Sequence, residues 1–308
     1  MGGGAVIREL RREDAPAVAR LELAINPHQV LTPEVVWHTA TRPIEREQRR
    51  SWVAELDGEV AAFAWANFEW SVPTPGKGRF WIRVDPGSRG RGIGGDLYAR
   101  VHEYLRRRGA WRLQTAVDVD EAGTRFLERL GFERRGADRV SVLELAGAEL
   151  PEPAAGVVPL SEARDFERDL YEICAAGEID MPGDEPETEL SLEDWRLDDY
   201  GSPALSAEGS FVAVDGGRAV ALAFLTADPA RRLAYNQMTA TLPSHRRRGL
   251  ALAVKSASAR WAREHGFERI VTENDSENAG MLAINDRLGY RFLYEQVSWL
   301  LEWERPPV

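Results

Sequence analysis

One stretch limits what this chain can fold into more than any other: Val84-Asp85-Pro86-Gly87-Ser88-Arg89-Gly90-Arg91-Gly92-Ile93-Gly94-Gly95. It follows a strand-like run, Phe80 to Val84, and precedes a helical pattern from Asp96 to Arg108. A strand, a glycine-rich turn and a helix in that order make an anion site. The first N–H groups of the helix have no intrahelical acceptor, and the helix dipole adds partial positive charge there. Gly92 and Gly94 leave room for a ligand phosphate, while Arg89 and Arg91 carry charge that suits its oxygens. The nucleotide P-loop is excluded, because Lys and Ser/Thr should follow its last glycine and Asp96 stands there instead. Gly90 to Gly95 fits the G-x-G-x-x-G spacing only loosely. The better description is R-x-x-G-x-G/A, filled by Arg89, Gly92 and Gly94.

The device occurs twice. Arg246-Arg247-Arg248-Gly249-Leu250-Ala251 fills the same pattern between a strand-like run, Leu233 to Leu242, and a helical one, Leu250 to His265. The copies lie 157 residues apart (246 − 89 = 157). Asp57-Gly58 answers Asp215-Gly216, Arg108-Gly109 answers His265-Gly266, and Leu130-Gly131-Phe132 answers Leu288-Gly289-Tyr290, at offsets of 157 or 158. A near-constant offset over four features means that a whole unit is duplicated. The expected organisation is a first domain over 1–145, a linker over 146–156 containing Pro151 and Pro153, and a second domain over 157–308.

The 308 residues are enough for two domains that each bury a core. Net charge is −11, and the second half supplies the excess, with 16 basic against 28 acidic residues. That balance disfavours nucleic acid as a partner and with it the reading of either loop as an Arg/Gly nucleic-acid segment. No apolar run reaches the ~18 residues of a membrane span. Met1-Gly2-Gly3-Gly4 leads straight into a strand-like run, so no leader is expected and the cytoplasm is the expected compartment. The single cysteine, Cys174, lies on a helical apolar stripe and is expected in a core; no metal site is expected.

In chain order, Ala5 to Leu10 reads as a strand and Glu13-Asp14 starts a helix. Thr32-Pro33-Glu34 caps a second helix. Asp-Gly between apolar runs predicts hairpins at 52–70 and, with Asp215-Gly216-Gly217, at 211–226. Trp111 to Val117, a short helix capped by Asp120 and Ser141 to Leu145 complete the first half. In the second half come Val157 to Leu160, a helix over 163–176, and an acidic segment from Glu178 to Asp199. Ser191 caps a helix within that segment. After the second loop follow Arg269 to Glu273, a helix Ala279 to Leu288, and two final strands.

This order and the paired loops resemble the GCN5-related N-acetyltransferase (GNAT) family across nearly the whole chain. The second half looks like the C-terminal half of tandem bacterial members, from Met238-Thr239-Ala240-Thr241 through Lys255, Thr272-Glu273-Asn274, Asn278, Met281 and Asn285 to Leu288-Gly289-Tyr290. Mycothiol synthase shares the two-domain plan. The resemblance implies an α/β fold with a mixed α+β sheet, built as two tandem acyl-CoA N-acyltransferase domains. It also implies acetyl-CoA as the coenzyme and direct attack of an acceptor amine on the thioester.

Coenzyme contact is then expected from Ile82, Val84, Arg89, Gly90, Arg91, Gly92, Ile93, Gly94 and Gly95. In the second half it is expected from Thr239, Thr241, Arg246, Arg247, Arg248, Gly249, Leu250, Ala251, Asn274, Asn278 and Asn285. An oxyanion donor belongs on the strand before each loop, near Val84 and near Thr239 to Thr241. For the base, Glu273 comes first, then Asp228 and Glu69. Many family members place a Tyr acid where this chain has Leu127 and Asn285. Leu127 cannot give a proton, which favours chemistry in the second half, with Glu273, Asn285 and Thr241 as its catalytic set. Helix capping competes with coenzyme contact for Asn278. Trp65, Phe68 and Trp70 line either an acceptor pocket or a core. The expected partner is a small-molecule amine, and the acidic segment suits a cationic one; the protein is expected as a monomer or homodimer. The alternative is a non-catalytic acyl-CoA-binding or sensing protein.

Overall fold

The computed structural model describes residues 4–69, 75–118, 121–152, 156–181, 191–198 and 200–304. Trp70, Asp120 and part of the acidic segment, 182–190 and 199, lie outside them. Two compact units emerge. Unit 1 is Met1–Arg135 together with Val297–Val308, and unit 2 is Gly136–Gln296.

In unit 1 the elements are β1 (Val6–Glu9), α1 (Ala15–Ile25), α2 (Pro33–Thr41), β2 (Arg50–Leu56), β3 (Glu59–Phe68), β4 (Lys77–Val84), α3 (Ile93–Arg106), β5 (Arg112–Asp118) and α4 (Glu121–Arg129). β1 to β4 form an antiparallel run, and β5 joins β4 in parallel. The β2–β3 turn is built as its sequence requires, with Asp57 at φ 53° and Gly58 at φ 85°. Strand alternation sends Phe80, with Ala62 and Ala64, toward Leu97, Val101 and Leu105 of α3, whose apolar residues recur at helical spacing. The opposite face carries Val53 and Phe63 against Val18, Leu21 and Val36 of α1 and α2. Thr32 caps α2 through Val35 N–H, as its sequence predicts.

Unit 2 repeats the plan. It begins with most of β6 (Glu133–Glu144) and continues with β7 (Val157–Pro159), α5 (Glu167–Ile179), α6 (Leu192–Leu197), β8 (Phe211–Asp215), β9 (Arg218–Asp228), β10 (Leu233–Thr241), α7 (Leu250–Glu264), β11 (Arg269–Asp275) and α8 (Ala279–Leu288). Its sheet runs β6-β11-β10-β9-β8-β7. α7 and α8 cover one face through Ala259, Ala262 and Leu288 against Ile270, Ala234 and Leu143. Trp195 of α6 packs on Tyr171 of α5 and Phe224 of β9 on the other. Cys174 is 2% exposed on α5, a core residue.

The units do not divide at 146–156. Residues 141–145, expected to close the first domain, lie in unit 2. β6 pairs antiparallel with β11 from Arg269↔Glu144 to Asp275↔Asp138, and Leu143 and Leu145 are buried beside Ile270. The two final strands expected after Tyr290 are one strand, β12 (Arg291–Glu302), because no Gly, Pro, Asn or Asp interrupts the run. Its later residues Val297 and Trp299 fill the core of unit 1. Each unit therefore holds the last strand of the other half of the sequence, in whole or in part.

Candidate active site

Each unit opens a cleft where two parallel strands separate. In unit 1 the β4–β5 pairing runs from Lys77↔Arg112 to Arg79↔Gln114 and stops. In unit 2 the β10–β11 pairing runs from Leu233↔Arg269 to Asn236↔Thr272, where a bulge at Gln237 shifts the register. Beyond those points strand-edge amides are released toward the gap, which is where the oxyanion donors were expected.

The unit 1 cleft has a volume of 490 Å³ and is lined by the expected Ile82, Val84, Arg89, Gly90, Gly92, Ile93, Gly94 and Gly95; Arg91 is exposed outside it. The unit 2 cleft, 610 Å³, is lined by Thr239, Thr241, Arg246, Arg247, Gly249, Leu250 and Ala251, and opposite them by Glu273, Asn274 and Asn278. Arg248 and Asn285 do not line it.

The two loops are built alike. Gly92 and Gly249 are the N-caps of α3 and α7 at φ 85° and 80°, and Gly90 and Arg247 adopt φ 76° and 60° two residues earlier. Alternating left-handed residues turn successive N–H groups into one concavity, a nest for an anion at a helix start. A Cβ added at Gly92 or Gly249 would meet nothing within 4 Å, so both glycines are there for backbone conformation and an open approach.

The first arginine of each loop has a job the sequence did not reveal. Arg89 Nε donates to Val84 O at 3.4 Å, and Arg246 Nε donates to Thr241 O at 3.1 Å. Each ties its loop back to the strand that feeds it. In unit 2 Arg246 also pairs with Asp180, the C-cap of α5. Asp215 takes Arg248 at 3.0 Å and His245 at 3.6 Å. Carboxylates thus already face the cationic side chains at this phosphate loop.

Just before the splay in unit 2, Tyr235 of β10, which is outside the cleft lining, donates its O–H to Glu273 of β11 at 3.5 Å. Burial, with Glu273, Tyr294 and Asp138 nearby, pushes the Tyr235 hydroxyl well above its ordinary range, so it stays protonated. Asn278 accepts from Met281 N–H at 3.1 Å and caps α8 while also lining the cleft, so capping and cleft position coexist. Asn285 is 2% exposed and donates Nδ2–H to Asn274 Oδ1 at 2.7 Å. The other base candidates are committed elsewhere. Asp228 accepts from Arg231 N–H at 3.1 Å in a turn, and Glu69 pairs with Arg79 at 2.9 Å.

The duplication lets the clefts be compared position by position. Glu273 answers Ala116, Asn274 answers Val117, and Asn285 answers Leu127. Ala240 answers Arg83, which is 7% exposed and lies 3.5 Å from both Glu22 and Asp118. Its guanidinium stacks on Trp81 at 3.7 Å, and Trp81 stacks on Trp65. Sequence reasoning missed Arg83 and Tyr235. Neither belongs to a loop motif, and only strand registers show what each side chain meets.

The profile of the Acetyltransferase (GNAT) family matches residues 7–132 and 168–290. The mycothiol acetyltransferase of Rhodococcus opacus (strain B4) is 28% identical over 240 residues, covering 71% of this chain and 72% of that protein. A GCN5-related N-acetyltransferase structure from Sphaerobacter thermophilus superposes with a TM-score of 0.70 at 20% identity, covering 99% of this chain and 97% of the other. A tandem GNAT protein from the clavulanic acid biosynthesis pathway gives 0.71 at 19% identity, with 99% of each chain covered. At these identities the two structures speak for the fold. With the family profile matched in both halves and a nested helix start in each unit, the chain belongs to the GNAT acetyltransferase family and is an acyltransferase of tandem-domain type.

Proposed function

We propose that this protein transfers the acetyl group of acetyl-CoA to a small-molecule primary amine, that the transfer takes place in unit 2, and that unit 1 holds coenzyme A without turning it over. One observation carries the assignment: Glu273, beside the Tyr235 hydroxyl, lines the unit 2 cleft where the unit 1 copy has Ala116. The family supplies the coarser statement, an acyl-CoA-dependent N-acyltransferase; the residues support the rest.

In this reading the loop amides after Gly249 hold the pyrophosphate and Asn274 meets the pantetheine arm. The thioester carbonyl sits at the β10 edge near Thr239 to Thr241. The amine nitrogen attacks that carbonyl, the C–N bond forms, and the released amide N–H on the β10 edge stabilises the oxyanion. Glu273 takes the proton of the amine, with Tyr235 holding the carboxylate in place. The C–S bond then breaks, and the thiolate, a weak base, takes its proton from solvent. The carboxylate of Glu273 in the cleft suits a cationic acceptor.

Unit 1 lacks this equipment. It has no carboxylate at Ala116, and Arg83, paired with Glu22 and Asp118, stands where unit 2 has Ala240 packed against Gly177 of α5. The test is acetyl-CoA turnover against a panel of diamines and aminoglycosides. Glu273→Gln is expected to lower kcat by about 10²–10⁴-fold with little change in KM for acetyl-CoA. Full activity of Glu273→Gln would move the chemistry elsewhere, and coenzyme binding with no turnover of any amine would favour the sensing protein.

A further inference from the structure

Beside the unit 2 cleft lies an amide pair that unit 1 lacks, Asn274 in the lining and Asn285 buried behind it. Where unit 1 has Val117 and Leu127, the latter 3% exposed in an apolar core, unit 2 has Asn274 and Asn285. Both positions are apolar in unit 1 and polar in unit 2, where they touch through Asn285 Nδ2–H···Oδ1 Asn274 at 2.7 Å. Burying an asparagine costs free energy unless its groups are paired, and Asn285 Oδ1 is buried without a hydrogen-bond partner. The fold does not need the pair, since the copy in unit 1 is built with valine and leucine at these places.

We propose that Asn285 is a positioning residue for Asn274. Its Nδ2–H group holds Asn274 Oδ1 and so turns the Asn274 N–H₂ group toward the cleft, as a donor to a carbonyl of the pantetheine arm of the bound acyl donor. This rests on the reading of the unit 2 cleft as an acyl-CoA site. A carboxamide with both its oxygen and nitrogen free can flip; one held at the oxygen presents a fixed donor. Asn274 lines the cleft on the same face of β11 as Thr272, whose hydroxyl donates to Asn236 O, so the strand that carries it is itself anchored at the splay. Asn285 has no place in the cleft lining and acts only through its neighbour.

The duplicated unit supplies the variants. Asn285→Leu and Asn274→Val each restore the residue that the same fold accommodates in unit 1. Calorimetric titrations would be made on the full chain carrying Gly92→Glu, which blocks the unit 1 loop. Acetyl-CoA and adenosine 3′,5′-bisphosphate, which has no pantetheine arm, are the two probes. Asn285→Leu is expected to weaken acetyl-CoA binding by about tenfold and to leave the bisphosphate unchanged, with the urea midpoint equal to or above that of the parent. Asn274→Val should match it, and the double variant should be no weaker than either. Unchanged acetyl-CoA affinity in Asn285→Leu, effects that multiply in the double variant, or equal weakening of both probes would overturn the role. No acetyl-CoA binding to the Gly92→Glu parent would overturn the assignment of the cleft itself, and the positioning role with it.

Discussion

Lys255 shows how much a single buried residue can reveal. It lies on α7, 3% exposed, with Nζ 5.2 Å from the Tyr290 ring centre and without a hydrogen-bond partner. Burial pulls its ammonium down to about 7 from an ordinary 10.5. The unfolded chain therefore keeps this proton between about pH 7 and 10.5, while the folded chain gives it up. Stability from this group is full above the upper value and is lost as pH falls through the lower one. Urea unfolding should show stability rising from pH 7 to 10, and Lys255→Met should remove that rise and be the more stable protein at pH 7. The gain is at most about 4 kcal/mol; a flat wild-type profile would contradict it. Asp180 makes the opposite prediction. Its pairing with Arg246 is half exposed and worth little to the fold. Asp180→Asn is expected to leave the melting temperature unchanged and to tighten acetyl-CoA binding several-fold at low salt, since one anion no longer competes for the loop. The glycine-rich helix starts and the place of Glu273 on β11 were legible in the sequence because they depend on local pattern, whereas the strand carbonyls that the loop arginines tie down were not. Asn285 was placed correctly on α8 but read as a coenzyme contact; its partner, eleven residues back on β11, appears only when helix and strand are packed together.

At the scale of elements, the strand–loop–helix units behave as their sequences require. The loop conformation, with Gly249 at φ 80°, is one an alanine adopts with strain. Gly249→Ala should lower acetyl-CoA affinity in unit 2 without touching unit 1, and a titration that leaves both affinities unchanged would contradict this. α5 depends on another glycine for a different reason. A Cβ on Gly177 would lie 2.7 Å from Met238 Cε and 2.8 Å from Ala240 Cβ, so the helix rests directly on the strand that faces the cleft. Gly177→Val should push α5 off β10, cost about 1–3 kcal/mol in urea unfolding and raise KM for both substrates. The hairpins were legible from Asp57-Gly58 and Asp215-Gly216-Gly217, since left-handed turn residues leave a mark in sequence. The fate of β6 and β12 was not legible. The apolar residues of a strand state that it is buried but not which neighbour it joins.

For the whole molecule, duplication is the organising fact, and the proposed division of work rests on the differences between the copies. Unit 1 keeps a nested loop and a cleft but has Ala116, Leu127 and a salt-bridged Arg83 around it; unit 2 has Glu273, Asn285 and Ala240. No helix among the described residues is long and apolar enough to cross a membrane. The halves are recognisable along the sequence from the constant offset, yet the compact units cross that boundary at both β6 and β12. A chain truncated after residue 145 would therefore lack the strand that brings Val297 and Trp299 to its core, and should be poorly folded by circular dichroism and proteolysis. The most direct test is a calorimetric titration of acetyl-CoA into the wild type, Gly92→Glu and Gly249→Glu, with amine turnover measured on the same three proteins. Two sites are expected in the wild type, each lost with its own substitution, with turnover abolished only in Gly249→Glu. Turnover that survives Gly249→Glu and disappears in Gly92→Glu would place the chemistry in unit 1 and contradict this.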